Sequence, residues 1–258
     1  MRFGERFTEG GCAINKKNYC VCWLSGGGSS FISAYLARDT VNELIFIDID
    51  DQTRDTLRFV NECADYLRLP LTILKSHYGS VKNVVRQFRY INGVAGAKCT
   101  DVLKRRPRKE WEREHSEYAL TYIWGFDKRE TARAKRIVET NSDQTHLFPL
   151  IDNLVNKKRA HGVLSKIGIK RPDMYEMGYP NQNCKGCVKG GMGYWNKIRV
   201  DFPDVFESRA KLEREIGATC LKDKNGKVWL DELDPLRGNF KMEILPDCGI
   251  ARELRYGI

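Results

Sequence analysis

The sequence has no long apolar run; its most hydrophobic stretches are short pieces such as Leu44-Ile45-Phe46-Ile47. A bilayer-spanning helix needs about 20 apolar residues in a row, so a membrane span is excluded. The opening Met-Arg-Phe-Gly-Glu-Arg-Phe lacks the apolar centre of a secretory signal, and a cytoplasmic protein is expected. Internal repeats, linkers and low-complexity tracts are also missing. There is no G-x-x-x-x-G-K-S/T, which excludes a Walker-type phosphate loop. The dinucleotide fingerprint fails because Phe31 stands where its third glycine belongs. Only one C-x-x-C occurs, and none of the 4 histidines lies near it to complete an evident zinc site.

What is present fits a folded chain. Its 258 residues suffice for a large core, and 11 Phe, 11 Tyr and 5 Trp argue against disorder. The 44 Lys plus Arg exceed the 34 Asp plus Glu, a net charge of +10 that favours anionic partners: nucleotides, nucleic acid, or phosphorylated and sulfated small molecules. Nine cysteines, an odd number, fit a disulfide framework poorly in a reducing compartment. Cys12, Cys20, Cys22, Cys63 and Cys220 have no chemical context, and of these Cys20 and Cys22 read as core.

Apolar runs predict strands at Tyr19–Leu24, Leu44–Ile49, Leu71–Lys75, Ala119–Gly125 and His146–Leu150. Helical spacing joins Leu57, Val60, Ala64 and Leu67, and more briefly Phe31, Ala34, Tyr35 and Arg38; Asp127–Val138 gives a third helix. Strands alternating with helices imply a mostly parallel sheet covered on both faces, with ligands at the carboxyl ends of its strands. This α/β core is expected over 1–150. A cysteine-bearing extension over 151–258 should hold a basic helix, a loop over Gly178–Gly193, a helix at Phe206–Ile216 and a hairpin. The hairpin is predicted around Asp223-Lys224-Asn225-Gly226, where Asn-Gly favours a type I′ turn.

Between the first strand and helix lies Ser25-Gly26-Gly27-Gly28-Ser29-Ser30. Consecutive glycines let backbone N–H groups converge on an anion at a helix N-terminus, although a plain flexible turn would have the same composition. Cys184-Lys185-Gly186-Cys187 can turn both sulfurs towards one ion, but redox and structural pairs share that spacing. Lys104, Arg105, Arg106, Arg108 and Lys109 form one basic run, and Lys128, Arg129, Arg133, Lys135 and Arg136 another. Either is a solvated helix face or an anion site.

The glycine loop resembles the PP-loop, Ser-Gly-Gly-x-Asp-Ser, of the adenine nucleotide α-hydrolase-like (HUP/PP-loop) superfamily, with Ser29 replacing the Asp. Further stretches are similar to the PAPS reductase-like branch: Cys99-Thr100 followed by Leu103-Lys104 and Pro107, Trp124-Gly125 followed by Arg129-Glu130, Phe148-Pro149-Leu150, and Tyr179-Pro180 followed by Cys184 and Cys187. The resemblance implies a nucleotide (PAPS, APS, or ATP with Mg) whose phosphates or sulfate lie on Ser25, Gly26, Gly27, Gly28, Ser29 and Ser30. It further implies Asp48 beside the adenosine and Lys104 and Arg129 neutralising the anion. Cys99, Cys184 and Cys187 would hold a 4Fe–4S cluster or, less readily, zinc, either with one iron left open or with Cys248 as a fourth ligand. Alternatively Cys248, in Pro246-Asp247-Cys248-Gly249, is similar to the family's tail nucleophile, which attacks the sulfonate sulfur before a thiol such as thioredoxin releases sulfite. The branch pattern has a cysteine pair where this chain has Lys98-Cys99, and a tail histidine where it has Ala251.

Two other readings stand beside the reductase. One is an ATP pyrophosphatase activating an oxygen on tRNA, DNA or a small molecule. The other is a non-catalytic accessory protein binding nucleotide or nucleic acid, suggested by Ser29. A homo-oligomer is left open.

Overall fold

The computed structural model describes residues 16–93 and 96–243. Its centre is a parallel sheet in the order β3-β2-β1-β4-β5. The strands are β1 (Lys17–Leu24), β2 (Glu43–Asp48), β3 (Leu71–Lys75), β4 (Tyr118–Ile123) and β5 (Thr145–Leu147). All five expected strands exist. The fifth stops at Leu147 because Pro149 opens a helical turn, where the sequence reading had carried it to Leu150.

Alternation along β1 and β2 explains why both faces must be covered. Val21, Trp23, Ile45 and Ile47 face one cluster; Cys20, Cys22, Leu24, Leu44 and Phe46 face the other. The helices of this part are, in chain order, α1 (Gly28–Leu36), α2 (Arg54–Leu67), α3 (Val81–Phe88), α4 (Lys98–Thr100), α5 (Arg106–Glu114) and α6 (Thr131–Thr140). From α1 and α2, Ala34, Val60 and Ala64 pack on one face; Trp111 of α5 and Ala134 and Ile137 of α6 pack on the other. A π-helical stretch, Asp101–Arg105, joins α4 to α5 without a break.

The C-terminal part holds α7 (Pro149–Asp152), α8 (Lys157–Lys166), α9 (Asp173–Glu176), α10 (Met192–Asp201), α11 (Pro203–Ile216), β6 (Leu221–Asp223) and β7 (Gly226–Val228). Ala160 and Leu164 of α8 share a cluster with Phe31 and Ile32 of α1, and α10, α11 and the hairpin enclose a further core around Tyr194 and Trp195. The hairpin is antiparallel with Asp223 opposite Gly226, so its central residues are Lys224 and Asn225. Neither has positive φ, and Gly226 at φ 117 carries the unusual backbone angle instead. The expected type I′ turn, which needs positive φ at both central positions, therefore does not form. No helix among the described residues is long and apolar enough to cross a membrane.

Candidate functional site

Strand order reverses between β1 and β4, and the loops leaving these two strands meet there. Gly26 turns the chain at φ 78, and a Cβ on it would lie 2.5 Å from Thr56 Cγ2, so glycine is required on both counts. Gly27 is the N-cap of α1 and supplies no side-chain cap, which leaves the first N–H groups of that helix facing the cleft. Ser30 organises the loop from beneath: its hydroxyl accepts from Ser25 N at 2.9 Å, donates to Gly27 O at 3.0 Å and lies 3.0 Å from Ser25 Oγ. From the β4 side, Ser33 Oγ donates to Trp124 O at 3.0 Å. A Cβ on Gly125 would stand 2.6 Å from both Ser30 N and Ser30 Cα, so only glycine lets the two loops close.

The cleft above is lined by Ser25, Gly27, Ser29, Lys104, Gly125, Lys157, Tyr175, Asn181, Gln182 and Asn183. Lys104 comes from the π-helical stretch and is only 8% exposed. The wider π turn changes which side chains face inward, a feature frequent at functional sites. Of the same basic run, Arg108 is also buried and pairs with Glu112 at 3.2 Å, whereas Arg106 and Lys109 are exposed, so the run is divided between interior and solvent. Lys157 donates to Pro180 O and Asn181 Oδ1, and its ammonium lies 5.3 Å from the centre of the Tyr175 ring. Tyr175 and Asn181–Asn183 form a roof that leaves about 30 Å³ free, room for one water-sized sphere.

Other expected residues fall elsewhere. Asp48 ends β2 with Lys75 Nζ 3.2 Å away and does not line the cleft. Arg129 pairs with the buried Asp127 at 2.9 Å, which raises the arginine's pKa, and its side chain is 74% exposed. It lines a neighbouring groove of about 650 Å³ with Lys128, Lys158, His161 and Arg171, joined to the cleft through the shared Lys157 and Tyr175. His161 meets Tyr175 edge to face at 4.6 Å; burial first, then the charges of Lys157 and Arg171, lower its pKa to about 4.

The cysteine loop is held from several sides. Tyr194, buried in α10, accepts from Cys187 N at 2.8 Å and donates to Cys184 O at 3.2 Å. Gly186, at φ 65, lies against Val205 and Trp195 where a Cβ would not fit. The Asp51 carbonyl accepts from Lys185 N at 2.7 Å while its carboxylate takes Val81 N and Arg209. Cys99 and Cys184 belong to one apolar cluster and Cys187 to the next. Among the described residues no group of three or more His, Cys, Asp or Glu is placed to hold a metal ion. Those residues alone thus fall short of the four ligands a 4Fe–4S cluster takes. Cys248 and Cys12 lie outside the described residues. Burial pushes the thiols of Cys20, Cys22, Cys63 and Cys220 up, which suits inert core cysteines.

Gln182 and Asn183 were not expected at the cleft. Amides in a loop carry no periodic signal, and only their position just before Cys184 could have drawn attention.

Two uncharacterized proteins of Methanocaldococcus jannaschii are similar in sequence. MJ0973 is 25% identical over 94% of this chain and 58% of its own length; MJ0066 is 23% identical over 80% and 43%. The chain thus spans about half the length of these relatives. Among solved structures, a phosphoadenylyl-sulfate (PAPS) reductase from Candida auris, a phosphate complex, matches with TM-score 0.46 and 16% identity over 65% of this chain and 81% of that one. An NMN synthetase from Francisella tularensis matches with TM-score 0.39 and 10% identity over 81% and 90%. The profile of the phosphoadenosine phosphosulfate reductase domain matches residues 19–189, which run from β1 through the glycine loop to just beyond the cysteine loop. The chain belongs to the phosphoadenosine phosphosulfate reductase domain family.

Proposed function

We propose that this chain binds an adenine nucleotide with its anionic end on Ser25–Ser30, between Lys104 and Lys157, and acts on it as a sulfonucleotide reductase. The observation that carries this reading is the charge of the cleft. Its described lining has two lysines and no carboxylate, above a helix N-terminus that no side chain caps. Such a site favours a phosphate or sulfonate over a neutral or cationic ligand. The free volume is far below the several hundred Å³ that a nucleotide occupies, so binding must lift the roof of Tyr175 and Asn181–Asn183.

In the proposed reaction, the Cys248 thiolate takes the sulfo group from the nucleotide. The bond between sulfur and the phosphate oxygen breaks, and the nucleotide leaves with that oxygen. A thiol reductant such as thioredoxin then releases sulfite and is itself oxidised to a disulfide. Asp48 is proposed on the adenosine side and Arg129 at the mouth. With Cys248 as nucleophile, an iron–sulfur cluster or zinc on Cys99, Cys184 and Cys187 would be a three-cysteine site with its fourth position open; Cys248 as the fourth ligand is the alternative to its role as nucleophile. Iron and sulfide analysis of anaerobically purified protein tests it.

Thermal stabilisation by ATP, APS and PAPS at matched concentrations tests the main reading, because a ligand of the folded state raises Tm according to its affinity. The expected result is a larger rise with a sulfonucleotide, and sulfite release that Cys248→Ser abolishes. No response to any nucleotide would overturn the reading.

The groove beside the cleft favours one second reading, an ATP pyrophosphatase whose acceptor is tRNA or DNA. Lys128, Arg129, Lys158, His161 and Arg171 would track a phosphate backbone towards Lys157. Preference for ATP, with pyrophosphate release and salt-dependent binding of nucleic acid, would select it.

A further inference from the structure

Gln182 and Asn183 are 6% and 5% exposed, and both line the cleft. Gln182 crosses directly over the glycine loop: a Cβ on Gly26 would lie 3.9 Å from its Cγ, and one on Gly27 3.9 Å from its Cβ. Its Nε2 donates to Thr53 Oγ1 and Thr56 Oγ1, each at 2.9 Å, where α2 begins. Thr53 Oγ1 gives its own proton to Asp173 Oδ1 at 2.7 Å, and that carboxylate oxygen, which can only accept, also lies 3.4 Å from Nε2, so this end of the amide is the donor. Oε1 is the end left over, and it is buried without a hydrogen-bond partner. Asn183 has the complementary orphan, a buried Nδ2 with no acceptor.

Buried polar atoms are nearly always paired, since an unpaired one forfeits its hydrogen bonds to water for nothing. Here one acceptor and one donor are left over on adjacent residues of the same wall, facing a loop of N–H groups and two lysines. An inorganic anion lacks the hydroxyl and amino donors of a nucleoside; it would satisfy Asn183 and offer Gln182 at most an acidic P–OH. A nucleotide offers anionic oxygens and, close by, hydroxyl or amino donors.

We propose that Gln182 and Asn183 form a subsite that reads a nucleoside phosphate and distinguishes it from a free anion. Asn183 Nδ2 donates to an oxygen of the phosphate or sulfonate, and Gln182 Oε1 accepts from a hydroxyl or amino group of the nucleoside. The subsite rests on the nucleotide reading above. Because Asn183 directly precedes Cys184, it also joins ligand contact to the cysteine loop that Tyr194 holds.

Calorimetric titration of the full chain with inorganic pyrophosphate, and with whichever of ATP, APS and PAPS the parent binds most tightly, tests this. Gln182→Met should bind that nucleotide about tenfold more weakly while its pyrophosphate affinity stays within about twofold. Asn183→Leu should weaken both ligands about tenfold, yet leave the Tm of the ligand-free protein unchanged or higher, because an unpaired buried amide is gone. Asn183→Asp keeps the size, guards against a folding failure, and should bind both ligands most weakly of all. Nucleotide binding by either Asn183 variant within about twofold of the parent overturns the proposal. So does a Gln182→Met loss that is equal for pyrophosphate, or an Asn183→Leu Tm that falls along with affinity, since those mark a structural role. A parent that binds pyrophosphate but no nucleotide sinks the subsite together with the reading it rests on; a parent that binds nucleotide while the variants match it sinks the subsite alone.

Discussion

The two walls of the cleft are built in opposite ways. On the sheet side, Ser30 spends its hydroxyl on Ser25 and Gly27, and Gly125 closes against Ser30, so the loop is fixed before any ligand arrives. On the C-terminal side, Gln182 and Asn183 keep polar atoms buried and unpaired. The first wall presents backbone N–H groups, which suit any anion. The second presents side-chain amides, which are particular about hydrogen-bond direction. On the proposed nucleotide reading, affinity for an anion and choice among anions would fall to different parts of the chain. A rigid cradle would avoid reorganisation on binding, whereas on the proposed reading the roof would move.

The largest expected effect comes from breaking the rigid wall. Gly125→Ala puts a methyl group 2.6 Å from the backbone of Ser30, and a backbone contact cannot be relieved by a rotamer change. Overpacking of this kind costs about 3 kcal/mol, and the displaced loop should lose its ligand. Urea unfolding and nucleotide titration check both parts. A variant with parental stability and affinity would mean that the junction at the strand reversal is softer than described, and the contrast between walls would fade.

Next comes the support behind the roof. Tyr194→Phe removes one hydroxyl that serves both Cys187 N and Cys184 O, and leaves a buried N–H without its acceptor. A loss of about 2 kcal/mol is expected by denaturant titration. The thiols of Cys184 and Cys187 should also react faster with an aromatic disulfide reagent, since the loop is no longer pinned. Unchanged thiol rates would show that Gly186 packing on Trp195 and the Lys185 bond to Asp51 hold the loop by themselves.

The same contrast explains what could be read from the sequence. Strands β1 to β4 were legible because buried parallel strands are dense in large apolar residues, as in Leu44-Ile45-Phe46-Ile47. The glycine loop was legible because its shape depends on backbone freedom and close approach, and both are written as glycine. The single C-x-x-C was legible as a pair, and its loop position held. The roof was not, because Asn181-Gln182-Asn183 has turn-like composition and becomes a wall of the cleft only when α2 brings Thr53 and Thr56 against Gln182. Lys104 and Lys109 looked alike in one basic run; a π-helical stretch, invisible to a 3.6-residue period, decides that Lys104 turns inward. Arg129 matched a sequence pattern, but Asp127 claims it at close range.

The smallest expected effect tests whether the two walls are linked through His161, which touches both. Its ring lies edge to face with Tyr175 in the roof, and its Cδ2 is 3.1 Å from where a Gly28 Cβ would be. Its pKa falls from 6.5 to about 4, mainly because burial disfavours the imidazolium and then because Lys157 and Arg171 repel it. Between those two values the unfolded chain binds the proton and the folded chain does not, so stability rises with pH across that window. The stabilisation is complete above about 6.5 and is lost progressively as pH falls towards 4. The effect is modest because the ring is only half-buried and solvent screens it. Urea midpoints at neutral and acidic pH should differ less in His161→Gln than in the parent, and equal slopes would remove His161 from the account. An anion held by Lys157 offsets the repulsion, so bound nucleotide should also flatten the parent's slope, and it should leave the slope of His161→Gln unaltered.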